Sequence, residues 1–95
     1  MGSKIRKHML VDGMVQGVGF RYRSYYTAQV SGLTGYVRNL NDGRVELELQ
    51  GDQNQVDSFL DKVEASYFIC ITNVISKYME TDPNEISFQI KDSEE

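Results

Sequence analysis

The hydrophobic period of the chain changes near its middle, and this change restricts the possible folds more than any other feature. Apolar and polar residues alternate over residues 44–50, which is typical of a strand with one buried face. The apolar members are Val45, Leu47 and Leu49. From Val56 to Val63 the apolar residues instead recur three and four positions apart, as along one face of a helix. Asp52 can cap that helix, with Gln55 as its capping-box partner. The centre of the chain is therefore predicted to be a strand followed directly by a helix.

The same reasoning predicts four further strands, and glycines on either side of residues 20–30 predict a second helix. The strands are expected over residues 5–15, 35–40, 69–75 and 86–90, and the helix over residues 20–30. The strand at 69–75 should bury Ile69, Ile71 and Ile75, which share one parity. The order β-α-β-β-α-β with an additional C-terminal strand predicts an α+β fold, the ferredoxin-like sandwich. Its antiparallel sheet would have four strands plus a short fifth, with two helices on one face.

Chain length sets the domain organisation. Ninety-five residues, 40% of them hydrophobic, can form one two-layer core but not two. We therefore expect a single domain over residues 9–91. Residues 1–8 are expected to be flexible or derived from a cloning junction, and residues 92–95 are expected to fray.

The charge balance argues against general nucleic-acid binding. Fourteen acidic residues outnumber ten Lys and Arg residues, which gives a net charge of −4, whereas nonspecific affinity for nucleic acids depends on many basic side chains. No apolar stretch approaches the length of a membrane span, so no membrane partner is expected.

Cysteine and histidine content bears on the redox setting and on metals. Cys70 is the only cysteine, so it cannot form an intramolecular disulfide, and a cytoplasmic location is expected. We expect Cys70 to be a small buried hydrophobe rather than a nucleophile. His8 is the only histidine, which leaves no histidine cluster for a metal.

Residues 16–20 join the first strand to the first helix and are followed directly by Arg21. The first N–H groups of a helix have no intrahelical acceptor and carry partial positive charge, so a loop folded over them can bind an anion. Gly17 and Gly19 allow the backbone to close around such a ligand, and the Arg21 fork suits two phosphoryl oxygens. Alternatively, the glycines only turn the chain and Arg21 is a solvated surface residue. The residues alone leave both interpretations open.

Two segments of the chain resemble a known family. Residues 13–21 read Gly-Met-Val-Gln-Gly-Val-Gly-Phe-Arg, and residues 32–46 read Gly-Leu-Thr-Gly-Tyr-Val-Arg-Asn-Leu-Asn-Asp-Gly-Arg-Val-Glu. At this spacing they resemble the two signatures of the acylphosphatase family, and the resemblance extends from about Met9 to Ile90. It implies the ferredoxin-like fold and hydrolysis of the carboxyl-phosphate bond of acyl phosphates, without metal or cofactor.

The resemblance also implies roles for individual residues. Arg21 matches the family's phosphate-binding arginine, and Asn39 matches the asparagine that positions the attacking water. Without the motif, Asn39 would be interpreted more simply as an Asx-turn residue before a hairpin. The backbone N–H groups that we assign to the phosphoryl oxygens are those of Gln16, Gly17, Val18, Gly19 and Phe20.

The implied partner is a small-molecule acyl phosphate, with inorganic phosphate as product inhibitor and the chain as a monomer. Two other functions compete with this one. An RNA-recognition domain has the same element order, but it needs aromatic and basic residues where this chain has Glu46 and Glu48. A catalytically silent regulatory module is the second, since acylphosphatase-like domains also occur within larger hydrogenase-maturation proteins. Residues 64–68 replace a Gly-Pro or Ser-Pro segment that is common in the family, which leaves the path of residues 64–80 open.

Overall fold

The computed structural model of the chain describes residues 3–94. Two helices and five strands follow one another in the predicted order. They are β1 (Lys4–Met14), α1 (Phe20–Ser31), β2 (Thr34–Asn39), β3 (Val45–Asp52), α2 (Gln53–Glu64), β4 (Cys70–Met79) and β5 (Phe88–Ile90). The strands form one sheet in the order β4-β1-β3-β2-β5. The predicted ferredoxin-like α+β sandwich is therefore confirmed.

The sheet is mixed, whereas the sequence predicted an antiparallel one. Strand β1 is antiparallel to β3 and β4, and β3 is antiparallel to β2, but β5 pairs with β2 in parallel. Because β4 and β2 run in opposite directions, a chain that leaves β4 and turns back once must run along β2. The connection over residues 80–87 makes this turn while it crosses from one edge of the sheet to the other.

The hydrophobic core lies between the sheet and the two helices. The apolar face of β3 is buried as predicted, since Val45, Leu47 and Leu49 have no exposed surface. The opposite face is not solvated throughout, because Glu48 and Gln50 are also buried. The stripe of α2 packs against the apolar face of β3 through residues that include Phe59. Helix α1 buries its smaller stripe of Phe20, Ser24 and Ala28. Within residues 3–94, no helix is long and apolar enough to cross a membrane.

Capping explains where α2 begins. Asp52 precedes the helix, and its carboxylate accepts hydrogen bonds from the backbone N–H groups of Asn54 and Gln55. The predicted reciprocal bond from the Gln55 side chain is wrong. Its Oε1 accepts instead from Lys62 Nζ at 2.9 Å, and Asp52 doubles as the last residue of β3, paired with Lys4. The cap therefore works in one direction only.

A β-bulge changes which residues of β4 face the core. Gly13 pairs with Ile71 and Asp12 with Asn73, so Thr72 is an extra residue. The bulge reverses the alternation, so Val74 packs against the core while Ile75 is 56% exposed. The prediction that Ile75 is buried is wrong for this reason. Cys70 is also exposed, and the prediction that it is buried is wrong.

Structure and contacts extend beyond residues 9–91 at both ends. Strand β1 begins at Lys4, and Arg6 is buried between two carboxylates, so the strand includes residues predicted to be flexible. Beyond β5, the backbone N–H of Glu94 donates to the carbonyl of Asn39 at 2.9 Å. The Glu94 carboxylate accepts from the N–H of Asn41 at 2.9 Å. The tail up to Glu94 is thus tied to β2, and residues 1, 2 and 95 lie outside the described residues.

Candidate active site

The loop between β1 and α1 (residues 15–19) depends on two glycines with positive φ. Gly17 has φ 73° and Gly19 has φ 83°. Open space surrounds the position of a Cβ at both, so the backbone conformation rather than crowding requires glycine there. Gly19 is also the N-cap of α1, and no side chain caps the first turn. The first N–H groups of the helix are therefore left without a side-chain acceptor.

The Gln16 side chain fixes this loop to the β2–β3 hairpin. Its Nε2 donates to the backbone carbonyls of Leu40 at 2.8 Å and Arg44 at 2.9 Å. The hairpin closes through a bond from Leu40 N–H to the same Arg44 carbonyl. Since Asn39 immediately precedes this hairpin turn, the two bonds from Gln16 fix the position of the loop relative to Asn39.

Arg21 lies in the first turn of α1 and differs from the other arginines in its contacts. Arg6, Arg38 and Arg44 each pair with a carboxylate, and Arg23 donates to backbone carbonyls at the end of α2. Among residues 3–94, Arg21 is the arginine with neither an ion pair nor a hydrogen bond from its side chain. The first turn also contains no acidic residue. Its guanidinium is free to bind an anion beside the helix start.

Asn39 ends β2 and carries an unpaired polar atom. Its Oδ1 is buried and has no hydrogen-bond partner in the described part of the chain, a condition shared only by Ser24 Oγ. Leaving a buried acceptor unpaired costs about 1–3 kcal/mol, so such atoms call for an explanation. The backbone of Asn39 is fixed by pairing with Val45 and by the bond from Glu94. The backbone of Asn39 is thus fixed, while its side-chain acceptor is unused.

These groups meet at a cavity of about 190 Å³. Its lining comprises Val15, Gly17, Gly19, Phe20, Arg21, Tyr22 and Asn39. The structure therefore brings together five of the seven predicted site residues. Gln16 instead reaches the hairpin, and Val18 packs against the core. Sequence reasoning missed Val15 and Tyr22, although both adjoin predicted site residues in the chain.

A larger cavity of about 320 Å³ lies at the opposite end of the sheet, beside the connection to β5. Arg6 lines it, but this guanidinium already bonds to Glu48 at 2.6 Å and to both oxygens of Glu85. Burial raises the pKa of the Glu85 carboxyl, but hydrogen bonds from Arg6 and other groups lower it by a larger amount. The pKa of Glu85 therefore lies below its ordinary value. Arg6 is therefore already paired with carboxylates, and the other cation of the lining, Lys91, lies over the Tyr36 ring with its Nζ 4.0 Å from the ring centroid. In residues 3–94, no cluster of His, Cys, Asp and Glu is arranged to hold a metal.

Comparison with known proteins bears on the origin of this site. A sequence profile of the acylphosphatase family matches residues 7–90. The acylphosphatase of Geobacillus thermodenitrificans is 42% identical over 86 residues, which cover 90% of this chain and 92% of that protein. The crystal structure of acylphosphatase from Bacillus subtilis matches with a TM-score of 0.83 and 35% identity, over 92% of this chain and 98% of that one. The structure of full-length HypF shares the fold, with a TM-score of 0.83 and 23% identity, over 98% of this chain but 12% of HypF. These matches confirm the predicted resemblance, and the chain belongs to the acylphosphatase family.

Proposed function

We propose that the chain hydrolyses the carboxyl-phosphate bond of acyl phosphates to a carboxylate and inorganic phosphate. Family membership supports this activity, since relatives that are 41% and 42% identical over most of its length are acylphosphatases. The observation that carries the proposal is the cavity itself. An unpaired arginine, an uncapped helix start and the asparagine that ends β2 all border one small space.

The phosphoryl group binds in the β1–α1 loop. The backbone N–H groups of Gln16, Gly17, Val18, Gly19 and Phe20 are the proposed donors, together with the Arg21 fork. Phosphoryl transfer proceeds through a loose transition state with charge spread over three equatorial oxygens, so positioning and charge stabilisation supply most of the catalysis. The positive φ of both glycines and the lack of an N-cap side chain support this arrangement.

Asn39 orients the attacking water. Asn39 lines the cavity, and its side-chain amide holds a water molecule by hydrogen bonding, with a lone pair of the water oxygen in line with phosphorus. A new P–O bond forms from the water, and the P–O bond to the acyl group breaks with its electron pair on the departing carboxylate. A phosphoryl oxygen takes the proton from the water, since Arg21 is the only charged residue of the lining.

This chemistry needs no general acid and no cofactor. Carboxylic acids have pKa values near 4, so the leaving carboxylate departs without being protonated at neutral pH. A site made of backbone N–H groups, one guanidinium and one amide therefore suffices for this substrate class. The RNA-binding alternative is disfavoured because the sheet face opposite the helices carries Glu46 and the buried Glu48, which pair with Arg38 and Arg6.

Three further statements belong to the same proposal. Inorganic phosphate should act as a competitive product inhibitor, since it presents the oxygens that the loop binds. The chain is proposed to act as a monomer, because all the groups invoked come from one chain. A cytoplasmic location is proposed from Cys70, whose free and exposed thiol suits a reducing compartment.

Hydrolysis of benzoyl phosphate tests the proposal. We expect turnover that is unchanged in EDTA and competitively inhibited by inorganic phosphate. If benzoyl phosphate and acetyl phosphate are both hydrolysed no faster than in buffer, the proposed activity is wrong. If activity is present but abolished by EDTA, the metal-free mechanism is wrong.

A further inference from the structure

Tyr22 lines the site cavity but has no role in binding phosphate or in orienting water. It follows Arg21 in the first turn of α1, and its side chain is 67% exposed. The other two tyrosines of the helix differ from it. Tyr25 packs against the core and forms an edge-to-face pair with Tyr26, with ring centroids 5.6 Å apart. Within residues 3–94, no hydrogen bond or ring contact involves Tyr22, so its ring is available to a ligand.

The direction of in-line attack determines which part of a substrate reaches this ring. The attacking water and the leaving oxygen lie on opposite sides of phosphorus. Asn39, which orients the water, is partly buried at the end of β2 and so lies on the less exposed side of the cavity. The leaving carboxylate and its acyl substituent then face the mouth, where Tyr22 is exposed.

The chemistry of the lining restricts the acyl groups that gain from this contact. Apart from Arg21, which is committed to the phosphoryl oxygens, the lining contains no charged residue. Val15, Phe20 and the two glycines offer no polar side-chain groups to a substituent. An exposed aromatic ring stacks well on another planar apolar group and gains little from a methyl group.

We propose that Tyr22 is a specificity-determining residue that binds planar apolar acyl groups, so that aromatic acyl phosphates are preferred over acetyl phosphate. This inference rests on the proposed function. Stacking of one ring on another is expected to contribute a factor of about 3 to 10 in kcat/KM, since pairwise aromatic contacts are of that size. The preference is measured as the ratio of kcat/KM for benzoyl phosphate to kcat/KM for acetyl phosphate.

The test compares Tyr22→Ala with Tyr22→Phe and Tyr26→Ala. Tyr26 is a matched control, because it is 66% exposed on the same helix and does not line the site cavity. We expect Tyr22→Ala to lower the benzoyl-to-acetyl ratio about 3- to 10-fold, Tyr22→Phe to preserve it, and Tyr26→Ala to leave it unchanged. The ring rather than the hydroxyl would then carry the preference.

The possible failures are distinguishable. If the wild-type chain hydrolyses neither substrate, the proposed function fails. If it hydrolyses both and Tyr22→Ala slows them by the same factor, the function stands and the role of Tyr22 in specificity is refuted. An equal drop in the ratio for Tyr26→Ala would also refute it, since the effect would then not come from the cavity mouth.

Discussion

Replacing Arg21 by Gln should lower kcat for benzoyl phosphate by about a hundredfold to a thousandfold. In the transition state, negative charge is spread over the equatorial phosphoryl oxygens, and Arg21 is the unpaired cation at the cavity. Removing one preorganised donor to developing charge typically costs about 3 to 4 kcal/mol of transition-state stabilisation. At about 1.4 kcal/mol per factor of ten, this corresponds to the predicted loss in rate.

The same substitution should leave stability nearly unchanged. Because the Arg21 side chain makes no hydrogen bond or ion pair within residues 3–94, its loss should alter the free energy of unfolding by no more than about 0.5 kcal/mol. Arg23→Gln is the matched control, two positions further along α1. Arg23 donates to the carbonyls of Val63 and Lys62 at 3.3 and 3.2 Å, so its loss should reduce stability by up to about 1 kcal/mol and spare kcat.

Two measurements on the three proteins decide the outcome. Steady-state hydrolysis gives kcat and KM, and urea unfolding followed by circular dichroism gives the free energy of unfolding. The reasoning is refuted if Arg21→Gln keeps kcat within threefold of the wild type. It is equally refuted if Arg23→Gln loses as much activity as Arg21→Gln, because the effect would then not depend on the cavity.

Three further predictions concern the supports of the site and the opposite end of the sheet. Asn39→Ala should lower kcat about a hundredfold but change the inhibition constant of phosphate less than tenfold. Its free energy of unfolding should be unchanged or higher, because the substitution removes an unpaired buried acceptor. Gln16→Met keeps the side-chain length but loses both donated hydrogen bonds, so the free energy of unfolding should fall by about 1 to 2 kcal/mol and kcat should also fall. The control Gln29→Met, at an exposed position, should change neither quantity. Glu85 has a lowered pKa in the fold because of Arg6, so its stabilisation is present above its ordinary pKa of 4.5 and is lost as the pH falls through the folded value. In Glu85→Gln, the free energy of unfolding should therefore fall less steeply with decreasing pH below 4.5 than in the wild type.

Much of the fold follows from local patterns. Val45, Leu47 and Leu49 are buried as their alternation predicts, and Gly32 ends α1 in the left-handed conformation expected of a helix C-cap. The predicted burial of Ile75 is wrong because the bulge at Thr72 decides which side of the sheet Ile75 faces. That bulge is a property of the pairing with β1 and not of the β4 sequence. The parallel pairing of β5 likewise depends on which edge of the sheet the connection reaches.

The candidate site was predictable where a glycine or a charge marks it. Gly17, Gly19 and Arg21 meet at the cavity because the same glycines that shape the loop also mark the start of the helix in the sequence. Tyr22 was missed because an aromatic residue in a helix gives no signal of whether it faces the core or a ligand. The hydrogen bond from Glu94 to Asn39 joins residues 55 positions apart, and no pattern in either segment predicts it.

The start of α1 lacks the side-chain cap and the acidic residues that usually stabilise a helix N-terminus, and this absence is itself an argument for a ligand. A glycine N-cap gives up the side-chain hydrogen bond that Asp52 supplies to α2, and Arg21 places positive charge at the positive end of the helix dipole. These choices cost about 0.5 to 1 kcal/mol together. The C-terminal end of the same helix, capped by Gly32, follows the usual rules, so the departure is confined to the end that faces the cavity. A bound phosphoryl group would supply both the acceptors and the negative charge that the bare helix start lacks. In a chain with a net charge of −4, such an anion site requires that acidic residues be kept away from this turn, and the first turn of α1 contains none.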